Sequence, residues 1–156
     1  STGWGTATLL EHDDVGNARD PRVAMDPDGN AVVVWQQADD PDYYPGDLGR
    51  NDIYANRFTP SGGWGTAEFL ESAVIDFGRA RVAMDARGNA VAVWHEYYTQ
   101  RAIWANRFTP SAGWGSPVVF ETTNKAAWLP EVAMGAQGAA LVVWGQGPSL
   151  WANYFR

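Results

Sequence analysis

Hydrophobic positions along this chain fall into short runs of two kinds. One kind is nearly continuous, as in Ala31-Val32-Val33-Val34-Trp35, and predicts a strand over Asn30–Trp35 that is covered on both faces. The other alternates. Across Ile53–Thr59, the residues Tyr54, Asn56 and Phe58 fall on one side and Ile53, Ala55 and Arg57 on the other, which predicts a strand with two different faces. A further strand is predicted over Arg22–Met25, joined to the buried run by the turn Asp26-Pro27-Asp28-Gly29. A fourth, Trp64–Glu71, follows the turn Pro60-Ser61-Gly62-Gly63. The unit is an antiparallel meander of four strands.

The unit recurs. Gly3-Trp4-Gly5 returns as Gly63-Trp64-Gly65 and Gly113-Trp114-Gly115, and Val23-Ala24-Met25 as Val82-Ala83-Met84 and Val132-Ala133-Met134. Trp35, Trp94 and Trp144 hold one place in their copies, as do Tyr54, Trp104 and Trp151, and then Phe58, Phe108 and Phe155. Residues 1–156 therefore read as a single domain. An orphan fourth strand spans 1–11, and repeats follow over 20–71, 80–121 and 130–156, the last without its fourth strand. Phe155-Arg156 followed by Ser1-Thr2-Gly3-Trp4 approximates the stretch from Phe108 to Trp114, so an N-terminal strand would complete the C-terminal unit.

This pattern resembles β-propellers. The resemblance implies an all-β chain of three four-stranded antiparallel blades. Propellers have about four to eight blades, so three would leave two apolar blade faces in water. The expected partner is thus another copy of the chain. A homodimer of six blades is favoured, a trimer of nine is the alternative, and a fragment of a longer repeat protein is the bland competitor.

Composition narrows the function. Nine Trp and seventeen Gly suit many short strands joined by tight turns. A net charge of −7, with eleven scattered basic residues, argues against a nucleic-acid partner and against an anionic membrane surface. Cysteine is absent, which removes disulfides and thiol chemistry.

The two ends of the meander differ. The turns between first and second strands are short, with Gly29, Gly88 and Gly138 in one place, and Thr59-Pro60-Ser61 matches Thr109-Pro110-Ser111 between third and fourth. At the opposite end the connections vary in length and are polar and aromatic, which is where binding usually resides. Candidate ligand-binding residues there are Trp128, Tyr97, Tyr98, Glu96, Arg79, Arg81, Arg101 and His95. Trp128 stands out because the other copies have nothing aromatic at its place, although local packing explains it equally well.

Asp26-Pro27-Asp28-Gly29-Asn30 has the oxygen ligands of a calcium loop, yet no glutamate follows at EF-hand spacing. A β-turn in which the aspartate caps its own backbone is the stronger reading, and no metal or cofactor is expected. The same hairpin, from Met25-Asp26 through Gly29-Asn30 to Trp35, loosely resembles the Asp-box turn of sialidase-type propellers, a structural element in that family. The arginine cluster, Tyr–Glu pair and acid/base Asp of sialidase catalysis do not map onto this sequence. In repeat length, Gly-Trp turns and expected closure, the whole chain is similar to fucose-binding propeller lectins. That resemblance implies sugar sites made of an Arg, a Glu and a stacking Trp or Tyr. No nucleophile–base pair or metal-binding histidine spacing is present. The expected function is a non-enzymatic, lectin-like carbohydrate-binding module. A structural or protein-interaction scaffold, amplified or engineered, is the alternative, and a glycosidase-like hydrolase a distant third.

Overall fold

The computed structural model describes residues 3–11, 17–38, 51–71, 78–96, 101–119 and 125–156. These residues form an all-β structure of three antiparallel sheets. The first contains β1 (Ala18–Met25), β2 (Ala31–Ala38), β3 (Asn51–Thr59), β4 (Gly63–Trp64) and β5 (Glu68–Phe69). The second contains β6 (Arg81–Met84), β7 (Ala90–His95), β8 (Ile103–Thr109), β9 (Gly113–Trp114) and β10 (Val118–Val119). The third contains β11 (Ala127–Met134), β12 (Ala140–Gln146) and β13 (Ser149–Phe155). Each sheet is a meander, and β4 and β5 both pair with β3, as β9 and β10 do with β8.

The continuous apolar runs become the central strands, because only a strand flanked by neighbours and covered on both faces can hide every side chain. All of β2 and all of β7 is buried. Cross-strand pairing puts Ala31 opposite Phe58, Ala90 opposite Phe108 and Ala140 opposite Phe155, so the three sheets can be compared position by position.

The sheets stack face to face. Val32, Val34, Ile53, Ala55 and Leu70 of the first sheet share one core with Ala90, Ala92, Trp94 and Phe108 of the second. Val91, Val93 and Ile103 on the reverse of the second sheet share another with Ala127, Ala140, Val142 and Trp144 of the third. Each large aliphatic or aromatic side chain buried in this way contributes roughly 1.5–3 kcal/mol and each alanine methyl less, so these cores are the main cohesion of the array. An arginine crosses each junction: the Arg57 guanidinium lies 5.6 Å from the Phe108 ring centre and that of Arg107 lies 4.9 Å from Phe155.

Two details depart from the sequence expectation. The expected continuous strand Trp64–Glu71 is split into β4 and β5. On that edge of β3, Asn56 Oδ1 accepts the Arg57 backbone N–H at 2.7 Å. The expected strand over 1–11 is also not one, since residues 3–10 join no sheet. Asn56 nevertheless reaches that segment, donating from Nδ2 to the Leu10 carbonyl at 2.9 Å, while Asn106 donates to the Gly115 carbonyl at 3.0 Å.

The turn aspartates behave as backbone caps. Asp26 Oδ1 accepts the N–H groups of Asp28 and Asn30, both at 2.9 Å, and Oδ2 accepts Asn30 Nδ2 at 2.8 Å. Asp85 repeats the arrangement with Arg87 and Asn89. Burial pushes the Asp85 carboxyl up. The hydrogen bonds from Asn89 and Arg87, with the Arg87 charge, outweigh that and hold it below the usual range.

Candidate functional site

The ends of the central strands and the starts of the first strands meet at one end of the array. Between the second and third sheets they form an open cavity of about 220 Å³ lined by His95, Glu96, Arg101, Ala126, Ala127 and Trp128. Four of the eight residues singled out in the sequence are therefore neighbours. The Arg101 carbonyl accepts the Ala127 N–H at 2.7 Å, which ties the approach to β8 in one sheet to the start of β11 in the next. Arg101 makes this contact with φ at 49°, a left-handed conformation uncommon for a residue with a side chain.

His95 closes the inner wall. It is buried, and its pKa falls to about 4 because burial disfavours the cation, with the charges of Arg81 and Arg79 adding to the effect. The imidazole is neutral at physiological pH and can exchange hydrogen bonds without carrying charge. Glu96 is buried beside it. In the first and third sheets Glu96's place belongs to Gln37 and Gln146, whose Oε1 atoms accept indole N–H groups from Trp35 and Trp144 at 2.9 and 3.3 Å.

Arg79 and Arg81 flank the pocket rather than line it, and each points to a neighbouring sheet. Arg79 Nε lies 3.5 Å from Asp20 of the first sheet, and Arg81 Nε donates to Glu131 of the third at 2.7 Å. Both pairs are partly exposed, so their value is orientation more than stability. Tyr97 and Tyr98 lie outside the described residues.

Trp128 does not sit in a connection, as the sequence suggested, but on β11 opposite Gly145. A β-bulge places it there. The register slips between Trp128 and Glu131, with Leu129 at φ 51° and Pro130 after it, as it slips between Arg19 and Arg22 with Asp20 at φ 52° and Pro21. Trp128 thus corresponds to Arg19 in the first sheet and Gly78 in the second. The volumes are exchanged across the strand pair. In the second sheet the large residue is His95 and the small one Gly78; in the third the large one is Trp128 and the small one Gly145. Sequence spacing alone missed this correspondence, although the prolines at 21 and 130 mark it.

A carboxylate, a guanidinium, a neutral imidazole and a half-exposed indole around one concavity can hold a polar ligand that also has an apolar face. Among the described residues no group of three or more His, Cys, Asp or Glu is placed to hold a metal ion.

No protein-family model matches the chain, and no curated protein is significantly similar to it. Solved structures do resemble it. A Hadza microbial sialidase superimposes with a TM-score of 0.58 at 13% identity, over 88% of this chain and 34% of the sialidase. The array is propeller-like. At this identity the likeness is of fold alone. A leech intramolecular trans-sialidase matches with a TM-score of 0.49 at 9% identity, over 88% of this chain and 23% of that one. A protein of unknown function from Dyadobacter fermentans matches with a TM-score of 0.42 at 11% identity, over 88% of this chain and 59% of its own. The chain thus spans about a third of the sialidase it superimposes on best among these, and within one chain its sheets do not close.

Proposed function

We propose that the chain is half of a six-bladed propeller made by two copies, and that it binds carbohydrate without turning it over at the cavity between its second and third blades. The observation that carries the reading is the convergence of Trp128, Arg101, Glu96 and His95 on one concavity. A sugar ring presents C–H groups on one face and hydroxyls around its rim. An indole suits the first, and charged donors and acceptors suit the second. The superposition on a sialidase adds that this fold can carry a sugar site, and it makes sialylated glycans natural members of the first panel.

The test is a glycan array followed by calorimetry on any hit. Trp128→Ala and Arg101→Ala are each expected to weaken binding roughly tenfold or more, the loss of about 1.4 kcal/mol that one stacking or charged contact supplies. Detectable hydrolysis of chromogenic glycosides would replace the binding reading with a glycosidase. An array without a hit would favour the scaffold, a reading supported by the near-identity of Ala55-Asn56-Arg57-Phe58-Thr59-Pro60-Ser61 and Ala105-Asn106-Arg107-Phe108-Thr109-Pro110-Ser111.

A further inference from the structure

One packing interface joins the first sheet to the second and the second to the third, and the same interface is left half-made at each end of the array. Val32 and Val34 are 1% and 0% exposed, and Val91 and Val93 are 8% and 0%, because the next sheet covers them. Leu141 and Val143, at the same positions in the third sheet, are 45% and 40% exposed. At the other end, Val82 and Met84 pack against the first core and Val132 and Met134 against the second. Val23 and Met25, which correspond to them, lie mostly in water.

The outer edge of the third sheet has a matching gap. Trp64 packs on Phe58 with ring centres 5.3 Å apart, and Trp114 packs on Phe108 at 5.5 Å. Phe155 holds the corresponding place on β13 but is about half exposed. Beside it a cavity of about 260 Å³ opens between the second and third sheets, lined by Arg107, Val142, Asn153 and Phe155 among others. Trp4 stands in the Gly-Trp-Gly motif of Trp64 and Trp114, and it is fully exposed.

We propose that two copies exchange their N-terminal segments: residues 3–11 of one copy become the outer strand of the third sheet in the other, with Trp4 filling the cavity beside the partner copy's Phe155. The inference rests on the two-copy ring proposed above and adds which chain supplies the missing strand. The position of the segment selects a second copy over its own chain. Leu10 is tied by its carbonyl to Asn56, and residues 8–11 line a cavity with Val33 and Trp35 on the outer face of the first sheet. Leu10 corresponds to Leu70, which belongs to the outer edge of one sheet and is buried against the next. The segment therefore already lies where the outer strand of a preceding blade belongs. Its own third sheet is at the opposite end of the array, with the second sheet between. A second copy, docked with its third sheet against this first sheet, brings β13 to the segment, and the reciprocal contact follows by two-fold symmetry.

Cross-linking reads the exchange directly, because the chain has no cysteine. Thr8 and Ala152 correspond to Val118 and Ala105, which lie opposite each other between β10 and β8. Directly opposed residues on antiparallel strands are close enough for a disulfide. Thr8→Cys chains are mixed with Ala152→Cys chains that carry a longer tag, and the mixture is mildly oxidised. A mixed disulfide dimer is the expected product on a non-reducing gel. A dimer by light scattering that yields no mixed cross-link would overturn the exchange and leave the ring standing. A 17.1 kDa monomer would overturn both. A double variant, Thr8→Cys with Ala152→Cys, that closes its disulfide within one chain would also overturn it. Trp4→Ala removes a side chain exposed to water in the single chain, so it leaves that chain folded, and it is expected to weaken dimerisation at least tenfold. Unchanged dimerisation in that variant would count against the proposal.

Discussion

A methyl group on Gly78 would collide with Cε1 and Nε2 of the His95 ring. The ring is buried, so relieving the clash means displacing it towards the cavity it lines. Gly78→Ala is therefore expected to cost roughly 1–3 kcal/mol in urea unfolding, the range of an overpacked core. Its cost should shrink when His95→Ala is made with it, a coupling that a double-mutant cycle reads. Gly145→Ala meets Trp128 Nε1 at 2.5 Å, but that indole is partly exposed and can turn outward, so the loss should be smaller. His95 also predicts a pH effect. Its folded pKa of about 4 lies below the ordinary value of 6.5, so between these values the unfolded chain binds a proton that the folded chain does not. Stability is complete above the ordinary value and drains away as pH falls towards the folded one, by on the order of 2–3 kcal/mol. Melting temperatures at pH 7 and pH 4.5 should show this drop, and His95→Gln should reduce it. At this scale the sequence was informative about which residues gather, since His95, Glu96, Arg101 and Trp128 share a cavity. It did not reveal that Trp128 stands over Gly145, because a bulge adds a residue to one strand without changing the apolar pattern that marks the strand.

The turns between first and second strands show the most local determination in the molecule. Asp85 accepts two backbone N–H groups at 2.8 Å and an amide from Asn89 at 2.6 Å, all within five residues. Replacing it with alanine should cost about 2–3 kcal/mol, because hydrogen bonds to a charged acceptor are lost and buried donors are left unmet. Asp85→Asn should recover part of that in the same unfolding assay. Such turns could be read from the chain because everything they need lies in consecutive residues. The central strands could be read because a run such as Ala31–Trp35 leaves no polar face to expose. The outer strands could not. Each breaks into two short pieces, β4 with β5 and β9 with β10, and no local pattern around Trp64–Glu71 marks the break.

The stacking of the whole array follows from the same residues, since each sheet carries apolar side chains on both faces and needs a neighbour on each. The match between the two ends of the chain was visible in the sequence. Where residues 8–11 rest was not, because the Leu10 bond to Asn56 and the cavity these residues line with Val33 and Trp35 join positions far apart along the chain. The turns also act at this scale. A side chain on Gly88 would press on Asp26 Oδ2 of the preceding turn at 3.3 Å, and one on Gly138 would press on Asp85 Oδ2 at 3.2 Å. Both glycines hold positive φ, so local strain and contact with the neighbouring sheet exclude a side chain together. A methyl there would act as a wedge at one end of the junction, prying the sheets apart on that side while the apolar cores hold them together in the middle. The spacing of neighbouring sheets at this end of the array is thus governed in part by two hydrogen atoms.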